Sequence, residues 1–586
     1  MLQYTLKPHH PHQHLWSVRL TFDNTGEAAP ATLSLPNWVP GSYMIREFAR
    51  HIVSIETRCN QEAACLTQIN KNTWQTGAQT GQWQIDYLIY AHDLSVRGAY
   101  LDAERGFFDG ACIFLQLHGR ETQPHRLHIK GLPDHWQTAT TLPCLKNGEY
   151  QAASYAELID HPFEFGRIET LAFTACGIPH RIALSGHYAD FSRQRLLNDI
   201  QKICTAQLAL FPTPAPFTEY LFLLHVGDNI YGGLEHGNST ALLADRNSLP
   251  QSDSDEADEG YLQLLGLFSH EYFHAWNVKS IKPAAFTPYR LDEESYTEQL
   301  WAFEGITSYY DDLMLVRSGV LSPEGYLKLL AQNIGKVQQT PGRNVQTLAE
   351  SSFTAWTKFY KQNENSPNAL VSYYQQGALL ALCLDLYIRR ESAGRFSLDH
   401  IMQSLYRDWC ANRQGLPENH WQQHAEALTG LNLKPFFQQA LHSTEPLPLE
   451  NSLAAAGIGL VWQASGRNTP GTFSASPPPA AAPATDFGAR FKQNADNITL
   501  SHVFTGGSAE QAGLSAQDRI IALNGFACTD FARQWARLPA GTEVRLHYFR
   551  HGVLHETILT IQAARADSAC LYITDATLLQ NWLQAP

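Results

Sequence analysis

The stretch LGLFSHEYFHAWNVK, residues 265–279, sets two histidines four apart, with a glutamate after the first, inside an otherwise apolar run. Leu262, Leu265, Phe268 and Phe273 fall at the spacing of a buried helix over about residues 261–278. On such a helix, positions i and i+4 share a face, so His270 and His274 aim their imidazoles at one point while Glu271 sits one position round. Burying two imidazoles and a carboxylate without partners is costly, so the fold must bring further groups to this helix. Zinc hydrolases use this arrangement: two neutral imidazoles and a third protein ligand hold the metal, an open position admits water, and a nearby carboxylate serves as base.

The third ligand should be a His, Asp or Glu on another element. Glu304 stands next to Gly305 in the helical segment YTEQLWAFEGITSYYDDLML, residues 296–315, flanked by Trp301, Phe303 and Ile306. That apolar company makes it hard to place in solvent. With HEYFHAW, the segment WAFEGITSYYDD resembles the gluzincin metallopeptidases, in which a glutamate on a second helix completes the zinc site, as in the aminopeptidase N family. HEYFHAWNVKSIKP, LPNWVPGSYMIREFARH (35–51) and a C-terminal stretch narrow this to a resemblance to the glycyl aminopeptidase family of PDZ-containing zinc metallopeptidases. The C-terminal stretch is ITLSHVFTGGSAEQAGLSAQDRIIALNG (498–525), which is similar to a PDZ core, and FGAR (487–490) sits where PDZ domains accept a peptide's C-terminal carboxylate.

The resemblance implies one zinc per chain on His270, His274 and Glu304, with Glu271 as base, and a preference for small N-terminal residues, Gly and Ala. YGGLEH resembles the exopeptidase motif whose glutamate receives the substrate's free α-amine. This makes Glu235 the anchor, with Gly232 and Gly233 beside it. The motif departs from the family with Leu234 for Met and His236 for Asn. YYQQGALLALCLDLY (373–387) resembles the segment whose tyrosine donates to the tetrahedral oxyanion, giving that role to Tyr374, with Tyr373 as the fallback and Gln376 in place of a lysine. Asn277 and Ser308 are candidates to orient ligands. Lys279 and Lys282 match the family's basic tail after the histidine helix, without a physical assignment.

A chain of 586 residues exceeds one hydrophobic core, and its pattern changes along its length. Residues 1–165 alternate as in an antiparallel β domain. From about 190 the spacing turns helical, with Ser192 placed to cap SRQRLLNDIQKICTAQLALF; within this region TEYLFLLHV reads as a buried strand. The expected organisation is an N-terminal β domain (1–165), a mostly α, thermolysin-like catalytic domain (166–445) and a PDZ-like domain (446–586). A Pro/Ala/Ser-rich flexible insertion covers 464–486, and the acidic QSDSDEADEG (251–260) reads as a solvated loop that favours the start of the next helix.

The net charge of −14 and the lack of a basic stripe argue against nucleic acid. No run of about 18 apolar residues suggests a membrane span, and the N-terminus lacks the pattern of a signal peptide. Ten scattered cysteines with no CxxC pair suit reduced thiols. The expectation is a soluble cytoplasmic enzyme acting on peptides with a free N-terminus. Two alternatives share its residues: a PDZ-steered zinc endopeptidase, and a non-catalytic PDZ scaffold.

Overall fold

Alternation starts with the first strand, where Leu2, Tyr4 and Leu6 are buried while Gln3 and Thr5 are half-buried and Lys7 is exposed on the opposite face. The computed structural model describes residues 2–25, 29–146, 148–253, 257–467, 469–479 and 483–584. The chain divides into two compact units, Met1–Ser295 with Leu405–Pro417, and Tyr296–Ser404 with Glu418–Pro586.

In the first unit, β1 (Leu2–His10), β2 (Leu15–Asn24), β3 (Ile52–Cys59), β4 (Gly81–Tyr90), β5 (His125–Ile129) and β6 (Glu149–Ala152) lie in one eight-stranded sheet. Its order is Cys144–Lys146, β6, β5, β1, β2, β4, β3, Glu62–Ala63. The pairings are antiparallel as expected, except that β5 runs parallel to β1, with Leu2 opposite His125. The long chain between β4 and β5 supplies the crossover that a parallel pair needs. Trp16, Trp83, Tyr4 and Tyr87 fill the core on its inner face.

A second, mixed sheet comes next: β7 (Glu169–Ala175), β8 (Ile178–Gly186), β9 (Tyr220–Gly227), β10 (Gly232–Glu235) and β11 (Ser239–Asp245), in the order β7-β8-β9-β11-β10. β8, β9 and β11 are parallel neighbours, and β10 returns antiparallel at the edge. Between β8 and β9 runs α1 (Arg193–Leu210), capped as the sequence suggests by Ser192, whose Oγ accepts from Arg195 N at 3.1 Å. Leu221, Leu223, Leu234, Ala241 and Leu243 join the same apolar cluster as the N-terminal sheet.

α2 (Glu259–Phe273) packs on β10 and β11. Asp258, from the acidic loop, starts it by accepting from Tyr261 N at 2.7 Å; residues 254–256 of that loop lie outside the described residues. The predicted helix over 261–278 is too long, because α2 stops at Phe273. Ala275 N and Trp276 N bond back to Tyr272 O and Phe273 O, and Asn277 turns into a bridge with Ile281. Val278, at φ +98°, is in a region that a β-branched residue tolerates only under constraint, at a cost of about 1–3 kcal/mol.

In the second unit a π-helical turn, Trp301–Gly305, runs into α3 (Ile306–Arg317), followed by α4 (Pro323–Gln338) and α5 (Gln375–Glu391). Towards the C-terminus come β12 (Ile458–Ala464), β13 (Gly471–Ser474), β14 (Ala489–Gln493), β15 (Ile498–Val503), β16 (Arg519–Leu523), α6 (Phe531–Trp535), β17 (Glu543–Arg550), β18 (Val553–Thr560), β19 (Ala566–Ile573) and α7 (Ala576–Leu583). β14 to β18 form one sheet with β14 at its edge, while β12, β19 and β13 form another. The stretch 464–486, expected to be a flexible insertion, therefore contains a strand: β13 runs parallel to β19 and packs on α4. Residues 468 and 480–482 of that stretch lie outside the described residues.

α7 is anchored by Trp582, whose Nε1 donates to Asp385 Oδ2 of α5 and Tyr309 OH of α3, both at 3.2 Å. None of the ten cysteines forms a disulfide. Among the described residues no helix is long and apolar enough to cross a membrane.

One buried ion pair braces the first unit. Arg105 grips Glu164 with Nε–Oε1 at 2.7 Å and Nη2–Oε2 at 2.8 Å, across paired strands. Removing one partner strands a buried charge, so Arg105→Met should lower stability by about 3–5 kcal/mol in urea denaturation. Arg105→Met with Glu164→Leu should recover most of that loss.

Candidate active site

Because α2 ends at Phe273, His274 becomes its cap residue rather than a mid-helix position, and its own N–H donates to His270 O at 3.3 Å. His274 Nδ1 lies 2.9 Å from the backbone carbonyl of Asn277. A carbonyl only accepts, so Nδ1 carries the proton and Nε2 keeps its lone pair, the state a metal ligand requires. The contact from Asn277, singled out in the sequence, is made by its main-chain carbonyl. The His270 and His274 rings lie with centroids 4.7 Å apart and planes at 85°.

Glu235, Glu271 and His274 each offer a ligand atom, and the three atoms lie within 4.8 Å of one another. All three residues are at most 5% exposed. Glycine explains how β10 approaches α2 so closely, since a Cβ on Gly233 would overlap the Glu271 carboxylate. Gly232 precedes it, half-buried, on the same edge strand.

Glu235 Oε1 is buried and accepts no hydrogen bond among the described residues. The Trp38–Tyr43 turn of LPNWVPGSY stands directly against this carboxylate: Gly41 adopts φ +92°, and a Cβ there would come within 2.5 Å of Glu235 Oε1. Trp38 holds the turn in place by donating from Nε1 to Arg290 O and Glu293 O, both at 2.9 Å. Tyr43 stacks on Phe286 with centroids 5.5 Å apart. The approach of this turn to Glu235 has no signal in local spacing.

His236 and the two lysines also find places here. His236 is buried beside Asp160 and Asp109. Lys279 pairs with Asp160. Lys282 lies over the Tyr289 ring, 5.3 Å from its centroid, and burial followed by the charge of Lys279 pushes its pKa down to about 8.

The second unit carries the other sequence candidates. Glu304 is 2% exposed, on the π-helical turn. Gly305 crosses Gly377 of α5 so tightly that a Cβ on Gly305 would stand 2.5 Å from Gly377 Cα, which accounts for glycine after Glu304 and in the QQGA segment. This crossing brings Glu304 within electrostatic reach of Tyr373 and Tyr374. Tyr373 is fully buried. Tyr374 precedes α5, its ring stacked on Tyr373 at 4.7 Å and its hydroxyl 3.3 Å from that of Tyr360. Burial first, then the charge of Glu304, raises the Tyr374 pKa well above its ordinary value, so the hydroxyl stays a donor. Gln376 is buried in the first turn of α5. Ser308 is half-buried on α3, with no side-chain hydrogen bond among the described residues.

Comparison with known proteins gives three results. The Peptidase M61 N-terminal domain profile matches residues 3–167, and the M61 glycyl aminopeptidase profile matches residues 263–380. The curated proteins give no match. Among solved structures, an aminopeptidase N family protein from Idiomarina loihiensis superposes with a TM-score of 0.95 at 38% identity, over 100% of both chains. An M1 zinc metallopeptidase from Deinococcus radiodurans is similar over 76% of this chain and 94% of its own, at 12% identity and a TM-score of 0.47. With the second profile spanning His270 to Tyr374 and a 38% identical relative along the full length, the chain belongs to the M61 glycyl aminopeptidase family.

Proposed function

We propose that the protein is a zinc-dependent aminopeptidase that hydrolyses the first peptide bond of peptides with a free N-terminus, preferring Gly and Ala. The observation that carries this reading is Glu235: a buried carboxylate oxygen without a hydrogen-bond partner among the described residues, in the same cluster as Glu271 and His274. Leaving such an acceptor unmatched is unfavourable, and a substrate ammonium matches it in charge and hydrogen bonding. An amine fixed at that point lets only the first peptide bond reach the reacting groups.

His270, His274 and Glu304 are the residues assigned to hold one zinc ion per chain, and the protonated Nδ1 of His274 suits that role. Zinc, when bound, supplies Lewis acidity toward the scissile carbonyl and the attacking water. Glu271 takes the water's proton and returns it to the leaving amine. Tyr374 donates a hydrogen bond from its hydroxyl to the oxyanion, a contribution on the order of 2.7–4 kcal/mol for a well-placed donor. The turn at Gly41 stands against the Glu235 carboxylate that would anchor the α-amine, and the preference for small first residues is taken from the family resemblance.

Residues 446–586 are read as a region with a PDZ-like module. Support comes from the edge strand β14, whose Phe491 packs against Phe531 of α6 with ring centroids 5.2 Å apart, beside a cavity of about 1380 Å³ that Phe487, Arg490, Phe491, Phe531 and Trp535 help to line. A peptide C-terminus adding a strand to β14 is the ligand assigned to it. Residues 1–165 are read as the β domain and 166–445 as the catalytic domain, and ten cysteines without a disulfide suit the cytoplasm to which the protein is assigned.

The test compares glycyl-, alanyl- and leucyl-arylamides with acetylglycyl-arylamide, using zinc-loaded protein and its Glu271→Gln variant. Glycyl and alanyl substrates should turn over fastest, acetylation should abolish cleavage, and Glu271→Gln should lose a factor of about 10²–10⁴. Equal cleavage of the acetylated substrate would favour an endopeptidase. No hydrolysis of any substrate would favour a scaffold.

A further inference from the structure

A polar cluster outside the proposed catalytic groups surrounds Asp160, at the end of the short helix Tyr155–Ile159. Its Oδ1 accepts from Lys279 Nζ at 2.6 Å and lies 3.3 Å from His236 Nδ1, while Oδ2 accepts from Gly237 N at 3.1 Å. His236 Nε2 lies 3.8 Å from Asp109 Oδ2, and Asp109 Oδ1 accepts from Ala111 N at 2.8 Å. Asp160 thus touches both residues that come after Glu235 and the lysine that ends the WNVK turn after His274.

We propose that Asp160 is a positioning residue that holds the Lys279 ammonium away from Glu235, and so keeps the amine anchor free for a substrate ammonium; this role rests on the aminopeptidase reading above.

Three observations support it. The Lys279 side chain is only 8% exposed, so it cannot turn out into water and must take a carboxylate partner within the fold. Lys279 feels the charge of Glu235 as well as that of Asp160, and Tyr289 feels all three, so the groups lie within electrostatic reach of one another, as the contact of Asp160 with His236 and Gly237 next to Glu235 requires. Burial works against ionised Asp160, yet Lys279 and His236 hold its carboxyl well below the usual range. The Asp160–Lys279 pair is therefore internally neutral, leaving Glu235 as the charge offered to an amine. Remove Asp160, and the carboxylate whose charge Lys279 feels next is the anchor itself. The turn favours that capture, because Lys279 N is already fixed to His274 O at 3.0 Å, with the strained Val278 between the two residues.

The experiment measures kcat and KM on glycyl-arylamide for wild type, Asp160→Asn, Asp160→Asn/Lys279→Met and Glu235→Gln, with zinc content and thermal melting of each full-length protein. Asp160→Asn should raise KM about tenfold or more with a smaller change in kcat, through competition from Lys279. Adding Lys279→Met should return KM to within about threefold of wild type, since the competing charge is gone. A structural role alone would instead worsen with the second substitution. An unchanged KM in Asp160→Asn, or no recovery in the double variant, would overturn the proposal. Should Asp160→Asn fail to melt cooperatively, Asp160→Ser takes its place, and the KM difference between Asp160→Ser and Asp160→Ser/Lys279→Met decides the question in the same way. Failure of the underlying reading is separate: Glu235→Gln would then discriminate glycyl- from acetyl-arylamide as well as wild type does.

Discussion

The first unit is organised around a concentration of like charge in a dry place. Glu235, Glu271 and His274 bring ligand atoms within 4.8 Å of one another in a buried cluster. Two carboxylates so close in a buried place call for cations beside them, a demand that the proposed zinc ion and substrate ammonium would meet. Much of the surrounding structure serves this demand. Gly233 and Gly41 remove the Cβ atoms that would collide with the two carboxylates. Trp38 pins the turn that carries Gly41. The Asn277 carbonyl fixes the His274 tautomer, and the turn that supplies it forces Val278 into a strained conformation. A fold keeps such strain where neighbouring contacts over-determine the backbone, as at the end of α2.

The second unit solves a different problem, the approach of two helices. Gly305 and Gly377 allow the π-helical turn and α5 to touch backbone to backbone, so Glu304 and the Tyr373–Tyr374 pair share one neighbourhood. A π-helical turn redirects the side chains after it, and such turns recur at functional sites. α7 ties the chain's last helix to the same scaffold through Trp582, Tyr309 and Asp385.

Features with a period or a fixed spacing are legible in the sequence. The change from alternation to helical spacing near residue 190 marks the start of α1, which runs between two strands of the second sheet. His270, Glu271, His274 and Glu304 stand out because carboxylates and imidazoles are rare in apolar segments. Sequence reasoning fails where tertiary contacts override local pattern. Trp276 and Val278 continue the apolar spacing five residues past Phe273, although the backbone there bonds elsewhere. The strand at Gly471–Ser474 is hidden by its Pro/Ala-rich surroundings, since its order comes from pairing with Ala569–Tyr572. Asp160 and Asp109 lie more than 70 residues from His236 and about 120 or more from Lys279, and no local rule links such positions. His236 reads as a defect in the amine motif until its carboxylate partners are in view.

The central claim is that His270, His274 and Glu304 hold one zinc ion. Elemental analysis of zinc-equilibrated, gel-filtered protein tests it most directly, on wild type and on His274→Ala and Glu304→Ala variants that still melt cooperatively. The account predicts one zinc per chain in wild type and loss of most of it in either variant. No stoichiometric zinc in wild type, or zinc held as tightly without Glu304, would contradict it.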